Sequence, residues 1–287
     1  MKDTAAVERW WAENPMTYAT SHGATDYDEG APVELGTPEF FAQVDRRFYE
    51  WNRPLHGVRP FERLFRYDAY GPTDRVLEVG CGMGTMAMNW ARAGVRMTAV
   101  DLNATAVEQT TRRFALAGLE GDIRPADARA LPFDDDTFSY VYSWGVLHHS
   151  PKIERSIAEL MRVLKPGGGF GIMVYNRRSL LHLYLTEYVE GFLHYERRFL
   201  DGLGLASRYG DAAREEGNPH TWPMTKRELH HALAPFSRDV AVRILGTDVD
   251  FVLDSIVPRL GSSLPAALKK PWARRFGWSL WASGRKA

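Results

Sequence analysis

A single cysteine in 287 residues, Cys81, removes two explanations at once. A lone thiol closes no internal disulfide and assembles no multi-cysteine metal site. Long apolar runs are missing as well. Nothing approaches the ~20 residues of a membrane-spanning helix, so no integral membrane segment is expected. Residues 1–30 hold no signal-like apolar core, because Lys2, Asp3, Glu8, Arg9 and Glu13 interrupt it. Together these absences lead to the expectation of a cytoplasmic protein. Excess charge of either sign is absent too. The 36 basic side chains balance 36 acidic ones, which leaves no general field for nucleic acid or an acidic membrane. Two short basic runs remain, Arg177-Arg178 and Lys269 to Arg275, and such runs ordinarily read as solvated surface. No repeat or low-complexity tract appears.

What is present is a chain of 45% hydrophobic content, enough for a sizeable core. Four stretches differ in texture. Residues 1–71 are aromatic and polar. Phe40, Val44 and Phe48 recur at i, i+4 and i+8 behind Thr37-Pro38, a helix start with proline in its first turn. Phe61, Leu64 and Phe65 extend the same periodicity until Gly71-Pro72. From 72 to 176, strand and helix patterns alternate: strands over 75–79, 95–100, 121–126, 138–143 and 169–175, helices over 83–93, 104–117 and from Ser150-Pro151 to Leu164. Lys165-Pro166-Gly167-Gly168 is expected to end the last of these helices. Such alternation predicts a mostly parallel sheet with right-handed crossovers. Residues 177–235 break the rhythm, with a helical pattern over 179–203, a loop over 201–223 and a capping box at Thr225 and Glu228. Residues 236–287 supply two closing strands, 240–245 and 277–283. The segment 250–275 between them, with prolines at 258, 265 and 271, is expected to be irregular.

The chemistry concentrates after the strands. Glu78-Val79-Gly80-Cys81-Gly82-Met83-Gly84 ends a strand in glycines and opens a helix. Glycines admit a ligand close to the backbone, and a helix N-terminus offers free N–H groups to an anion. The spacing is Glu-x-Gly-x-Gly-x-Gly, not the Gly-x-Gly-x-x-Gly of a dinucleotide site. Asp101 ends the second strand 21 positions after Gly80, where a carboxylate can accept hydrogen bonds from ribose hydroxyls. Helix capping is its alternative use. Asp127 and Ala128 follow the third strand, where they can meet an adenine ring or merely form a turn. After the fourth strand come Ser143, Trp144, Gly145, His148 and His149. Trp144 can pack on a cofactor, and the two histidines are either packing groups or bases. Tyr175 and His220, the latter in a loop-like string over 218–222, complete the candidate bases.

In this order the motifs resemble the class I S-adenosylmethionine (SAM) dependent methyltransferases. Within them they are similar to the group that includes the ubiquinone and menaquinone C-methyltransferases. The resemblance covers residues 72–176 and the last strand pair. It implies a Rossmann-like α/β fold with a mostly parallel seven-stranded sheet flanked by helices. An N-terminal helical region over 1–71, a SAM-binding core over 72–176, a helical lid over 177–235 and closing strands over 236–287 make up the expected organisation. It further implies that Gly80, Gly82 and Gly84 approach the methionine moiety, Asp101 holds the ribose, and Asp127 with Ala128 frames the adenine. Glu78, Cys81, Leu102, Ser143, Trp144, Gly145 and His148 complete the expected cofactor-binding set. The expected activity is in-line methyl transfer from SAM to a small-molecule acceptor, leaving S-adenosylhomocysteine, with His148, His149 and Tyr175 as candidate catalytic groups. Relatives that use a metal carry a carboxylate after the fourth strand and an Asp-Asn pair after the fifth. Ser143-Trp144 and Tyr175-Asn176 stand at those places here, so no catalytic metal is expected. The Asn-Pro-Pro-Tyr motif of nucleobase methylation is replaced by Tyr142-Ser143-Trp144-Gly145, so no nucleic-acid partner is expected. Two alternatives remain: an NAD-dependent oxidoreductase, and a non-catalytic subunit that keeps the fold. The N-terminal aromatics Trp10, Trp11, Tyr18, Tyr27, Tyr49 and Trp51 and the 179–222 insert are where substrate choice would lie. The Leu- and Tyr-rich 180–195 run equally suits core packing or a homodimer face.

Overall fold

A computed structural model describes residues 4–13, 33–210, 217–246 and 249–287. Tyr18 and Tyr27 lie outside these described residues. In chain order the helices are α1 (Thr4–Glu13), α2 (Pro38–Trp51), α3 (Thr85–Arg92), α4 (Ala104–Leu116), α5 (Ile153–Val163), α6 (Gly202–Tyr209), α7 (Lys226–Leu233), α8 (Val249–Ile256), α9 (Leu260–Ser263) and α10 (Ala266–Phe276). The strands are β1 (Arg75–Val79), β2 (Arg96–Asp101), β3 (Asp122–Pro125), β4 (Phe138–Trp144), β5 (Leu164–Tyr175), β6 (Ala241–Leu245) and β7 (Ser279–Arg285). They order as β3-β2-β1-β4-β5-β7-β6 in one seven-stranded sheet. β1 runs parallel to both β2 and β4, β2 runs parallel to β3, and β7 is antiparallel to β6. This is the Rossmann-like arrangement expected. The strand order reverses between β1 and β4, the kind of point at which open α/β sheets hold their ligands.

Two compact units divide the chain. The first holds residues 8–143 and 158–169, the second 1–7, 144–157 and 170–287. In the first, Trp90 of α3 is fully buried and is ringed by Phe65, Tyr67, Tyr70, Tyr140 and Tyr142, with centroids 4.7 to 6.1 Å away. That cluster explains a departure from the sequence reading. Residues 61–65 form turns rather than a helix, with Phe61 at φ 59°. Burying Phe61 against Phe48, Tyr49, His56 and Phe65 outweighs the local helical periodicity. Helix α2 forms as its pattern predicts. Thr37 Oγ1 accepts the Phe40 N–H at 3.2 Å, and Phe40, Phe41, Val44 and Phe48 are buried. Strand β5 already begins at Leu164, so Lys165-Pro166-Gly167-Gly168 belongs to the strand and does not cap the helix. Gly168 permits this, because a Cβ there would lie 3.0 Å from the Ser139 carbonyl.

The second unit corrects three further expectations. The helical pattern over 179–203 resolves into a π-helix, His182–Leu193, which ends before α6. The expected loop over 201–223 contains α6, capped by Asp201, whose Oδ1 accepts the Gly204 N–H at 2.7 Å. The segment 250–275 is not irregular but forms α8, α9 and α10. Its prolines punctuate the helices: Pro258 falls between α8 and α9, Pro265 is the N-cap of α10, and Pro271 is accommodated within it. Among the described residues, no helix is long and apolar enough to cross a membrane.

Candidate active site

In the first unit the glycine loop is fixed from behind. The Gly80 and Cys81 N–H groups both donate to the Val100 carbonyl of β2, at 2.8 and 3.1 Å. Gly82 and Gly84 then turn the chain at φ 51° and 75° into α3. They serve different purposes. A Cβ on Gly84 would lie 2.9 Å from Thr110 Cγ2, so this glycine lets α4 approach the loop. A Cβ on Gly82 would meet nothing within 4 Å, so this glycine presents an open face. Thr110 Oγ1 donates to the Gly82 carbonyl at 2.9 Å and holds that face in place.

Two carboxylates belong to this loop. Asp101 accepts the Gly82 N–H on Oδ2 and the Asn103 N–H on Oδ1, each at 2.9 Å. Burial raises its pKa, and these backbone donors oppose the rise. Glu78 is 2% exposed, and its Oε2 has no hydrogen-bond partner among the described residues. Desolvation raises its pKa well above the ordinary value; the neighbouring Tyr142 hydroxyl opposes the rise and the Asp101 charge adds to it. A buried, unpaired carboxylate oxygen is costly, and it is a natural seat for a cationic or hydrogen-bond-donating ligand group.

The sequence reading missed what braces the loop. Arg113 of α4, 4% exposed, donates from Nη1 to the Met83 carbonyl at 2.9 Å and to Thr85 Oγ1 at 3.0 Å, and pairs with Asp45 of α2. Thr85 Oγ1 in turn donates to Asp45 Oδ1 at 2.9 Å. Helix α1 reaches the other side, where Asn103 Nδ2 donates to the Trp11 carbonyl. Asn103 also caps α4, accepting the Thr105 N–H at 2.8 Å. The Ala126 N–H donates to the Asp101 carbonyl at 2.9 Å, which brings the Asp127-Ala128 turn beside Asp101 and Leu102. Asp127 is already engaged, because both its oxygens accept from Arg129. Ser143 closes the β4 end by donating from Oγ to the Val79 carbonyl at 2.8 Å. Cys81 is buried, and desolvation pushes its thiol pKa well up.

The second unit holds the remaining candidates. His148 and Tyr175 lie with ring centroids 3.9 Å apart, and His148 and His149 lie 4.1 Å apart. Trp278 lies 4.3 Å from Tyr175 on centroids. His148 is fully buried, and neither ring nitrogen has a hydrogen-bond partner among the described residues. Burial drives its pKa well below the ordinary value, and His149 and His220 add to the shift, so the ring is neutral at pH 7. His149 is held differently. Its Nδ1 lies 3.1 Å from Asn218 Nδ2 and 3.2 Å from both Thr221 Oγ1 and the His220 carbonyl. The Trp222 N–H donates to the His148 carbonyl at 2.8 Å, so the 218–222 string is packed against the histidine pair. Trp144 packs on Trp281 at 5.8 Å, and the Gly145 N–H donates to the Met173 carbonyl at 3.2 Å.

Comparison with known proteins bears on this geometry. Residues 76–168, from β1 into β5, match the family model described as a methyltransferase domain. Over this span the chain is similar to methyltransferase domains. Over 96 residues the chain is 34% identical to sterol 4-C-methyltransferase strm-1 of Caenorhabditis elegans, covering 33% of this chain and 29% of that protein. Over 170 residues it is 28% identical to sterol 24-C-methyltransferase ERG6B of Gibberella zeae, covering 50% and 45%. The chain thus spans less than half the length of these relatives. Among solved structures, a SAM-dependent methyltransferase from Methanosarcina mazei shares the fold, with a TM-score of 0.54, 19% identity and coverage of 77% of this chain and 98% of that one. The matched span contains Glu78, the glycine loop, Asp101, Asp127 and Ser143. The matched span also takes in Trp144, Gly145, His148 and His149, whereas Tyr175 and the 218–222 string fall beyond it.

Proposed function

We propose that the chain binds SAM on the Glu78–Gly84 loop and passes its methyl group to a small-molecule acceptor by in-line displacement, without a metal ion. One observation carries this reading. The open face of Gly82 lies beside Asp101, which bonds its N–H, and Glu78, four positions earlier in the same turn, has a buried Oε2 with no hydrogen-bond partner among the described residues. SAM supplies a methyl group already activated on a sulfonium. Glu78 Oε2 suits an ammonium group. The Asp101 oxygens each accept one backbone N–H and keep acceptor capacity for ribose hydroxyls. Asp127 and the Ala128 N–H suit adenine, with Asp127 shared with Arg129.

Alignment of the acceptor with the methyl group can supply much of the rate. A base is needed only where the acceptor is a hydroxyl, an ammonium or a carbon acid. His148 takes that role in this proposal, since burial keeps it neutral at pH 7 and neither nitrogen has a hydrogen-bond partner among the described residues. His149 and Tyr175 position its ring. The groups at the metal positions of related enzymes are otherwise occupied, which supports metal independence. Ser143 Oγ donates to Val79, and the Asn176 amide donates to the Gly277 carbonyl at 2.8 Å while its oxygen accepts from the Arg178 N–H. The sterol names of two relatives favour an apolar acceptor.

Calorimetric titration with SAM, S-adenosylhomocysteine and NAD tests the first step, and methyl transfer from labelled SAM to a panel of acceptors, with and without chelator, tests the second. Binding of the first two ligands but not NAD, followed by chelator-resistant transfer, is the expected result. NAD binding alone would overturn the proposal.

A further inference from the structure

Helix α10 is unlike the other long helices in that none of its side chains is buried. It packs on β6 and α8, and Ala273 lies so close to Gly246 that a Cβ on that glycine would sit 2.5 Å from the Ala273 Cα. Leu268, Trp272 and Phe276 follow at i, i+4 and i+8 and form a single stripe. Leu268 is 61% exposed and Trp272 55%, and the Trp272 and Phe276 rings lie 5.9 Å apart. Helix α8, which packs on α10, contributes exposed Ile256, with Val257 just beyond it. Among the described residues these groups stand exposed, and removing them from water would be favourable.

The same segment is rich in positive charge. From Arg259 to Phe276 there are five cations, Arg259, Lys269, Lys270, Arg274 and Arg275, and no acid, in a chain whose net charge is zero. The two acids of α8 are occupied. Asp250 pairs with Lys269, and Asp254 accepts the Gly261 and Ser262 N–H groups at 2.6 and 3.2 Å. Arg259, Lys270, Arg274 and Arg275 are exposed, and none forms an ion pair among the described residues.

We propose that α10 and the adjoining end of α8 are a docking surface for an anionic lipid bilayer. Leu268, Trp272, Ile256 and Val257 would enter the headgroup boundary, and the unpaired cations would meet lipid phosphates. An exposed apolar stripe containing tryptophan, with Lys and Arg on the remaining face, is the composition of a helix that lies in the membrane plane. The same charges argue against a second copy of the chain as the occupant, because two such faces brought together would oppose like charges. Nucleic acid would meet the cations but would leave the aliphatic side chains unsatisfied.

The test is sedimentation of the full chain with vesicles of phosphatidylcholine alone and of phosphatidylcholine mixed with phosphatidylglycerol, at low and high salt. Binding to the mixed vesicles, weakened by salt, is expected. Neutralising two cations with Lys270→Gln and Arg274→Gln should lower the partition constant by at least ~10-fold, since each near-surface cation is worth roughly fivefold. Trp272→Ala should also release the protein at low salt. These side chains are exposed, and unchanged circular dichroism and SAM affinity would show that the variants stay folded. Equal binding to neutral and anionic vesicles, or none to either, would overturn the proposal. So would a concentration-dependent dimer, or retention on an oligonucleotide, that Trp272→Ala or the double variant abolishes while vesicles bind nothing.

Discussion

Arg113 pairs with Asp45 across the back of the glycine loop, joining α4 to α2 while the guanidinium holds the Met83 carbonyl. Two helices far apart in sequence therefore fix the backbone between Gly82 and Gly84. Removing one partner strands the other. Asp45→Ala leaves a 4% exposed guanidinium unpaired, and it should lower unfolding free energy by about 3–5 kcal/mol, measured by urea denaturation. Arg113→Met, which also removes a charge but fills the space with apolar volume, should cost less when combined with Asp45→Ala than Asp45→Ala costs alone. An additive double variant would refute the pairing as the source of the loss.

Asp101→Ala should weaken SAM binding by at least ~1.5 kcal/mol, the lower end for a charge-assisted hydrogen bond. It also frees the Gly82 N–H, so the loss should exceed that of Asp101→Asn. Calorimetry on both folded variants decides this. Wild-type affinity in Asp101→Ala would mean that the ribose lies elsewhere.

The two glycines should respond differently to the same change. Gly84→Ala places a methyl group 2.9 Å from Thr110 Cγ2 and should lower the melting temperature clearly. Gly82→Ala has room and should cost only the ~1–2 kcal/mol of a left-handed alanine, while SAM binding falls as the methyl group occupies the open face. If Gly82→Ala lost stability but kept its affinity, that face would not be the ligand face.

Glu78 should release a proton when SAM binds. Its pKa in the free protein lies well above the ordinary 4.5, so the carboxyl keeps its proton to higher pH, and a ligand ammonium beside it would favour the ionised form. Binding enthalpies measured in buffers of different ionisation heat should reveal this release, and Glu78→Gln should remove it. Buffer-independent enthalpies in the wild type would contradict the assignment.

His148 sets an acid limit on stability. Its folded pKa is depressed below 6.5, so as pH falls beneath that value the unfolded chain takes up a proton that the folded chain refuses. Stability should therefore fall from about pH 6.5 downward, and His148→Phe should flatten that part of the curve. The same variant should lose methyl transfer to acceptors that need deprotonation. Full activity toward a hydroxyl acceptor in His148→Phe would remove His148 as the base.

Local signals were the readable ones. The Glu78–Gly84 turn is legible because strand, glycines and helix adjoin in sequence. The capping box is legible because Thr225 and Glu228 satisfy each other across three residues, as the structure bears out. Phe61 misled because its burial depends on Phe48 and Tyr49, and periodicity does not report distant rings. Prolines 258, 265 and 271 suggested irregular chain, yet proline at a helix boundary is compatible with the helix that follows. The Arg113–Asp45 pair and the 218–222 string against His149 span 68 and about 70 positions, and no spacing rule links residues so far apart.

The uncompensated cations of α10 also shape how the molecule behaves before it meets any partner. Residues 259–276 carry +5 in a chain of zero net charge, so the remainder carries −5, and the sequence isoelectric point is about 7.1. Near neutral pH it has no net repulsion to keep copies apart. Colloidal stability should therefore be poorest near neutral pH and low ionic strength, where the basic segment can attract acidic surface of other copies, and should improve when salt screens that attraction.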